Sequence, residues 1–311
     1  MIKLVFFGSG SFPIPILKKL MSSKNIEVVG LVTSPNAGKG DSLYNLALAS
    51  DIEILQPKKL SNAENDRIRN FRPDIILVCN YGQFLSESML NIPKYHSLNI
   101  HCSLLPKLRG ACPIEMAILK GMKKTGVTIQ VMRPDMDTGA VIFQKEVAIS
   151  KNETGGTLTK IMQKIVASSI IQVVEDWIAN RIVSHEQQEQ NATYCYRKDI
   201  SKKAAEIDWR KNANEIERAI RAYNPRPIAW TWIETKQERS RLRILQAKIK
   251  IGKLSETPGD LQIDKNRITI QTGNNLIVLQ KIQIEGKRIM DTDQFLRGFR
   301  QEFLINTHKS A

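Results

Sequence analysis

SLNIHCSLLPKLRG, residues 97–110, combines an apolar run with an asparagine and a histidine two positions apart. In an extended strand, side chains alternate between faces at about 3.3 Å per residue, so Asn99 and His101 would project from one face, roughly 6 to 7 Å apart. The leucine and isoleucine beside them would point to the opposite, buried face. Because Pro106 ends the strand soon afterwards, the polar pair lies near a strand end, where open α/β sheets bind ligands.

The segments around this stretch alternate between strand-like and helix-like patterns. IKLVFF and IEVVGLVTS flank a helix-like segment at residues 13–21, which is the opening of a βαβ unit, and DIILVCNY and SLNIHCS continue the series of strands. Apolar residues with helical spacing over 158–177 predict a long amphipathic helix. We therefore predict an α/β domain with a mostly parallel sheet over residues 1–189.

The last third of the chain has a different pattern. SHEQQEQNATYCYRKDISKKA is polar and patternless, and predicts a linker over residues 190–205. Beyond it, a helix at 214–223 is followed by the strand-like runs AWTWIE, RLRILQAKIKI, RITIQT and NLIVLQKIQI and by a closing helix at 293–303. Several short strands with turns between them predict a small β-barrel domain over residues 206–311.

Length and composition limit the class of protein. A chain of 311 residues with 42% hydrophobic residues has room for about two domains of roughly 150 residues, each with its own core. No stretch approaches the roughly 18 uninterrupted apolar residues of a membrane span, and the first apolar run is too short for a secretory signal. The four cysteines form no Cys-x-x-Cys pair, which argues against a disulfide framework or a zinc site. We expect a cytoplasmic monomer without a metal or a membrane partner.

Positive charge points to the kind of partner. The formal net charge is +15, and residues 201–311 hold 22 Lys/Arg against 13 Asp/Glu, whereas residues 1–200 hold 24 against 18. An enzyme of small metabolites has no need of this potential, so the charge favours an anionic macromolecule such as a nucleic acid. The alternative is that these basic residues only solvate the surface.

A glycine pair follows the first strand. Gly8-Ser9-Gly10 suggests a dinucleotide fingerprint, but the third glycine of Gly-x-Gly-x-x-Gly would fall at Pro13. We therefore favour a tight strand-to-helix turn over a nicotinamide site.

A carboxylate joins the asparagine and the histidine in the candidate site. In TGVTIQVMRPDMDTGAVIF a strand ends in a turn that contains Asp135, Asp137 and Gly139. Singly, a turn aspartate is usually a turn former and a strand histidine a core residue. Together, the amide of Asn99, the imidazole of His101 and a carboxylate of this turn are suited to bind a developing oxyanion and to move one proton. No Ser or Cys with a paired base is evident, so direct attack by a substrate amine is the simplest scheme.

These motifs resemble the methionyl-tRNA formyltransferases, within the wider group of 10-formyltetrahydrofolate-dependent transformylases. The resemblance rests on SLNIHCSLLPKLRGACPIEMAILKG and TGVTIQVMRPDMDTGAVI, and on KDISKKAAEIDW, RAYNPRPIAWTW and DTDQFLRGFR near the C-terminus. The Asn-x-His, Ser-Leu-Leu-Pro and Asp-Thr-Gly elements are typical of the whole group, whereas IDW, NPRP and FLRG indicate its tRNA-specific member. The resemblance implies a Rossmann-like α/β catalytic domain with a mostly parallel sheet, followed by a smaller OB-like β-barrel.

The resemblance also implies site residues and substrates. Asn99, His101 and Asp137 would be catalytic, and the α-amino group of initiator Met-tRNA would attack the formyl carbon of 10-formyltetrahydrofolate without a metal. The folate site would be lined by Ser103, Leu104, Leu105 and Pro106, with backbone contacts to the pterin from Tyr81, Gly82, Gln83, Phe84 and Leu85.

Contacts to tRNA are expected in two places. The family's longer Gly-Arg-Gly-Lys-Lys-like loop corresponds here to SPNAGKGDSLYNLA, with Lys39 in place of the arginine and Asp41 in place of a lysine. In the second domain, the charge predicts phosphate contacts at Lys202, Lys203, Arg297 and Arg300.

Two other functions stay open from the sequence. The same catalytic set serves formyltransferases that act on an amino-sugar nucleotide or glycinamide ribonucleotide, although the basic second domain argues against such small substrates. A noncatalytic RNA-binding protein on the same scaffold is the other alternative, and the intact Asn99, His101 and Asp137 argue against it.

Overall fold

The computed structural model describes residues 1–38, 40–236, 238–298 and 303–306. Within the chain there are two compact units. The first comprises Met1–Pro113, Lys124–Ala148 and Thr159–Tyr194, and the second comprises Ile114–Lys123, Ile149–Leu158 and the chain from Cys195 onward. The first unit thus ends at Tyr194, five residues beyond residue 189, where the sequence places the end of the first domain. The domain boundaries drawn from the sequence remain a prediction.

The first unit is built around a seven-stranded sheet. The elements as far as Cys195 are, in chain order, β1 (Ile2–Gly8), α1 (Ile14–Met21), β2 (Ile26–Val32), α2 (Ser42–Leu48), β3 (Glu53–Leu55), α3 (Asn62–Asn70), β4 (Ile75–Cys79), α4 (Glu87–Leu90), β5 (Ser97–His101), β6 (Arg109–Gly110), α5 (Pro113–Leu119), β7 (Lys124–Val131), β8 (Val141–Ala148), α6 (Gly155–Ile178) and β9 (Tyr194–Cys195). Helix α5 from Ile114, helix α6 up to Leu158 and Cys195 of β9 belong to the second unit. The sheet order is β3-β2-β1-β4-β5-β7-β8, and β6 pairs with β9.

The direction of the strands follows the prediction of a mostly parallel sheet. Strands β1 to β5 pair in parallel, whereas β7 pairs antiparallel with both β5 and β8. The β-branched and aromatic runs at the centre of the sheet are buried along their length, because helical crossovers cover both faces of parallel strands. The α/β class and the Rossmann-like architecture are confirmed.

The Gly-Ser-Gly segment forms a tight turn between β1 and α1. A Cβ on Gly8 would lie 2.9 Å from the Phe6 ring, so only glycine fits this close approach. Gly10 has φ +72°, a conformation that side chains disfavour. Pro13 and the next proline then start the helix, where a missing N–H costs nothing. The structure therefore agrees with the turn that the sequence favours.

The second unit contains an antiparallel, barrel-like sheet, as predicted. Its elements are α7 (Ala213–Ala222), β10 (Ala229–Glu234), β11 (Arg239–Lys250), β12 (Leu261–Asp264), β13 (Arg267–Gln271), β14 (Leu276–Ile284), β15 (Met290–Asp291), α8 (Thr292–Gly298) and β16 (Leu304–Asn306). The strands run in the order β12-β13-β14-β11-β10-β16, with β15 beside β14.

Helix α7 packs its apolar face into this second unit. Asn212 caps its first turn in a capping box with Glu215, and Ile216 and Ile220 lie in the core with the fully buried Trp209. The predicted closing helix at 293–303 begins as α8 but is described only to Gly298, and residues 299–302 lie outside the described part of the chain.

Among the described residues, no helix combines the length and the apolar character needed to cross a bilayer. Within the same ranges, no group of three or more His, Cys, Asp or Glu side chains is arranged to hold a metal ion.

Candidate active site

The asparagine and the histidine lie on one face of β5, as their spacing predicts. In the antiparallel pairing with β7, Asn99 lies opposite Gln130 and His101 opposite Thr128. His101 is 5% exposed. Because burial removes water as a hydrogen-bond partner, protein atoms must satisfy both nitrogens of this imidazole.

Asp137 brings the candidate catalytic residues together. It lies in the turn after β7 with φ +57°, a left-handed conformation that is uncommon outside glycine. Its Oδ1 accepts hydrogen bonds from Nδ2 of Asn99 (3.2 Å) and Nε2 of Gln130 (2.9 Å). Its Oδ2 accepts from the backbone N–H of Gly110 (2.9 Å) and lies 3.4 Å from Nδ1 of His101. One carboxylate therefore joins β5, β6 and β7.

The tautomer of His101 is fixed from the other side of the ring. Its Nε2 lies 2.8 Å from the carbonyl oxygen of Leu108. Because a carbonyl only accepts, Nε2 must carry a hydrogen. A hydrogen on Nδ1 would then face the Asp137 carboxylate, which lies on that side of the ring. At 3.4 Å this contact is longer than a good N–H···O bond.

Sequence reasoning missed Gln130. This side chain is buried, its Nε2 donates to Asp137, and its Oε1 accepts from the N–H of Gly139 at 3.0 Å. A signal was present in VTIQV, where Thr128 and Gln130 are the polar residues of the alternation. Their face became meaningful only through the pairing of β7 with β5.

The residues predicted to line the folate site follow β5 directly. Oγ1 of Thr128 donates to the Ser103 carbonyl (2.6 Å) and accepts from the N–H of Leu105 (3.2 Å), which fixes this turn beside the sheet. Ser103 and Leu105 are buried, whereas Leu104 and Pro106 are partly exposed. The turn therefore presents Leu104 and Pro106 at the strand ends.

The second predicted folate segment follows β4. Tyr81 packs edge-on against Phe7, with ring centroids 5.3 Å apart, and burial raises its pKa to about 12. Gln83 accepts from the N–H of Leu60 and donates to a backbone carbonyl, while Phe84 is 76% exposed. Of the other two residues in this segment, Leu85 is buried, and Gly82 has open space where a Cβ would lie.

The predicted tRNA contacts are only partly described. Lys39 and Arg300 lie outside the described residues. Lys202 and Lys203 are exposed in the second unit. Arg297 on α8 is exposed and pairs with Asp293 at 3.1 Å.

The family follows from the matches along the chain. A formyl transferase model matches residues 2–174, and the model of the formyl transferase C-terminal domain matches residues 199–300. The class of protein is thus a formyltransferase of two domains. Proteins named methionyl-tRNA formyltransferase from Clostridium perfringens and Agathobacter rectalis are 32% and 36% identical, over 95% and 96% of this chain and 96% and 97% of their own. The chain belongs to the methionyl-tRNA formyltransferase family, which confirms the resemblance inferred from the sequence.

A solved structure shares the fold. The N-formyltransferase from Helicobacter canadensis, in complex with folinic acid and dTDP-3-aminofucose, has a TM-score of 0.68 at 17% identity, covering 91% of this chain and 100% of that one. At this level of identity the likeness concerns the fold alone.

Proposed function

We propose that this protein transfers the formyl group of 10-formyltetrahydrofolate to the α-amino group of methionine on initiator Met-tRNA. Relatives that carry this name match nearly the whole chain. The observation that carries the mechanism is the convergence of Asn99, His101 and Asp137 where β5 lies beside the turn after β7. The reaction would occur in the cytoplasm, and we expect the protein to act as a monomer.

Asn99 would stabilise the charge that develops in the transition state. When the neutral amine attacks the formyl carbon, a C–N bond forms and the carbonyl oxygen becomes an oxyanion. The Asn99 amide has two hydrogens, of which one points to Asp137. The other would donate to the oxyanion from a preorganised position, which is typically the largest single contribution to such catalysis.

His101 would supply the second donor. Its Nε2 is held by the Leu108 carbonyl, and its Nδ1 faces the Asp137 carboxylate. Asp137 would orient the ring, and the ring would donate to the oxyanion. As the intermediate collapses, the bond to the folate nitrogen breaks, and that nitrogen takes up a proton equivalent to the one lost by the amine, through His101 or water.

Binding is assigned to residues beside this centre. We assign folate contacts to residues 103–106 and 81–85, which follow neighbouring strands β5 and β4. We assign tRNA phosphate contacts to Lys39, Lys202, Lys203, Arg297 and Arg300. The excess of basic residues over 201–311 supports the second assignment.

The test is a substrate comparison with the purified chain. It is incubated with 10-formyltetrahydrofolate and either Met-charged initiator tRNA, Met-charged elongator tRNA, a dTDP-amino sugar or glycinamide ribonucleotide. We expect acid-stable formylmethionine from the initiator tRNA. Formylation of a small substrate alone would show a sugar or nucleotide formyltransferase, and tRNA binding without transfer to any acceptor would show a noncatalytic RNA-binding protein.

A further inference from the structure

The guanidinium of Arg109 is completely buried in the first unit. Its side chain is 0% exposed, and a buried charge persists only when it is paired and hydrogen-bonded. Nη1 and Nη2 donate to the two carboxylate oxygens of Glu189 at 2.8 Å each. Nε and Nη2 donate to Oε1 of Gln187 at 3.1 and 2.9 Å. Nη1 also donates to the hydroxyl of Tyr194 at 3.3 Å. These hydrogen bonds from one guanidinium, called the Arg109 fork below, hold the segment after α6 against β6.

The Arg109 fork determines which way the Gln187 amide faces. Because a guanidinium only donates, the oxygen of the amide must face it and Nε2 must face the other way. Nε2 donates to the backbone carbonyls of Asp137 and Gly139 at 2.8 Å each. These two bonds hold the turn in which Asp137 has φ +57°. Such a conformation costs of order 1–3 kcal/mol and persists only when its surroundings hold it.

A second route runs through the backbone beside Arg109. The carbonyl oxygen of Leu108 accepts a hydrogen bond from Nε2 of His101, and the N–H of Gly110 donates to Asp137. The N–H of Arg109 donates to the carbonyl of Thr193 (2.8 Å), and that of Leu108 to the Thr193 hydroxyl (2.9 Å). The residues that contact His101 and Asp137 are therefore fixed by Arg109 and by the same later segment.

We propose that Gln187 and Arg109 are positioning residues for the transfer reaction. They hold Asp137 and the loop that contacts His101 in the geometry that the chemistry needs, without touching the substrates. The inference rests on the proposed formyl transfer for its kinetic readout. It gives the segment 187–194, largely read from the sequence as a polar connection, a part in assembling the active site.

The test compares variants at position 187 in the full-length chain. Gln187→Ala removes the bridge, and Gln187→Glu keeps an acceptor for Arg109 but loses the donors to the two carbonyls. Because a misplacement of about 1 Å can lower a rate about a hundredfold, we expect kcat to fall about 10- to 100-fold for both, with the KM for 10-formyltetrahydrofolate within about twofold. Gln187→Asn, measured in parallel, keeps the amide but shortens the side chain by one methylene. Its kcat is expected to lie between that of these two variants and that of the parent protein. Gln188→Ala is the matched control, since its side chain is exposed and accepts from Asn191.

Two measurements separate positioning from stability and from the proposed function. Turnover is normalised to the molecules that bind 5-formyltetrahydrofolate, so a loss of folded protein alone leaves the normalised kcat unchanged and overturns the proposal. Nitrogen-15 spectra of the imidazoles, of which the chain has four, report the His101 tautomer without any turnover. We expect the His101 signal to shift in Gln187→Ala and to stay in place in Gln188→Ala. If the parent protein forms no formylmethionine, the proposed function fails, whereas an unshifted His101 signal overturns the positioning role.

Discussion

Asp137 lies among donors from separate segments, and each of its carboxylate oxygens is used. Asn99 and Gln130 approach Oδ1, and Gly110 and His101 approach Oδ2. An asparagine at this position would offer one acceptor, and its NH2 group would face two of these donors. A buried polar group left without its partner costs about 1–3 kcal/mol.

Asp137→Asn is therefore expected to lower both stability and turnover. We expect the free energy of unfolding to fall by about 1–3 kcal/mol and kcat by about a hundredfold, because Asn99 and His101 lose the carboxylate that orients them. Urea unfolding and steady-state kinetics measure the two effects. Asp135→Asn in the same turn is the control, because that side chain is exposed and should stay within about 0.5 kcal/mol of the parent protein.

His101→Ala and Asn99→Ala are each expected to lower turnover about a hundredfold or more with folding intact, as for loss of an oxyanion donor or general acid. Single-turnover formation of formylmethionine measures this loss. His185→Ala removes an exposed histidine of the same unit and should have normal turnover. Near-normal rates in both site variants would show that the catalytic assignment is wrong.

Glu189 makes the stability of the first unit depend on pH. Hydrogen bonds from Arg109 lower the pKa of this carboxyl in the folded state. Stabilisation by its charged form is therefore present above its ordinary pKa of about 4.3, and is lost as the pH falls through the lower, folded-state value. In urea unfolding at a series of pH values, Glu189→Gln should be less stable than the parent at pH 7, with the difference vanishing in acid. A difference that stays constant with pH would contradict this, and Glu186→Gln on the exposed neighbour serves as the control.

At the scale of elements, the turn between β7 and β8 lies directly against the backbone of β7. A Cβ on Gly139 would lie 1.6 Å from the carbonyl oxygen of Val131. That oxygen belongs to the backbone of β7, so no side-chain rotation relieves the clash. The turn can be this close to the strand only because residue 139 is glycine.

Gly139→Ala should therefore displace Asp137 as well as strain the strand. We expect a loss of about 2 kcal/mol or more in unfolding free energy and a fall in kcat of at least about tenfold. Thermal unfolding and kinetics provide the measurement. Gly38→Ala is the control for stability, since nothing lies within 4 Å of a Cβ built there. Equal stability of the two variants would show that the turn relaxes freely.

At the scale of the whole molecule, charge is distributed unevenly along the chain. The residues from 201 onward hold the larger excess of Lys and Arg although they are the shorter part. Phosphate contacts position a nucleic acid without reading its bases. The second unit should therefore supply affinity for any tRNA, whereas choice of the initiator tRNA should rest near the acceptor end and the active site.

Neutralising Lys202 and Lys203 together tests this division. We expect binding of initiator and elongator tRNAs to weaken by similar factors, the slope of log affinity against log salt to flatten by about one unit per lost contact, and folate binding to stay unchanged. Salt titrations of both tRNAs measure the slopes, with Lys265→Gln and Lys287→Gln combined as a control of equal charge. An unchanged slope would exclude phosphate contacts there, and loss of the initiator tRNA alone would mean that this region reads identity.

The sequence by itself determined the class of fold and the core of the site. Alternating strand and helix patterns predicted the parallel sheet, and the two-residue spacing of Asn99 and His101 placed both on one face of β5. These features are local, because side-chain direction in a strand follows from backbone geometry alone. The family motifs then carried Asp137 into the site.

Only the tertiary structure decided what surrounds these residues. Gln130 joins the site because β7 pairs with β5 in one particular register, and Gln187 reaches the Asp137 turn from 50 residues away along the chain. Neither contact leaves a periodic signal, since it depends on how segments far apart in sequence pack together. The stretch after α6 has no periodic pattern, so the sequence predicted only a connection there. Its conformation is held instead by hydrogen bonds from the buried guanidinium of Arg109.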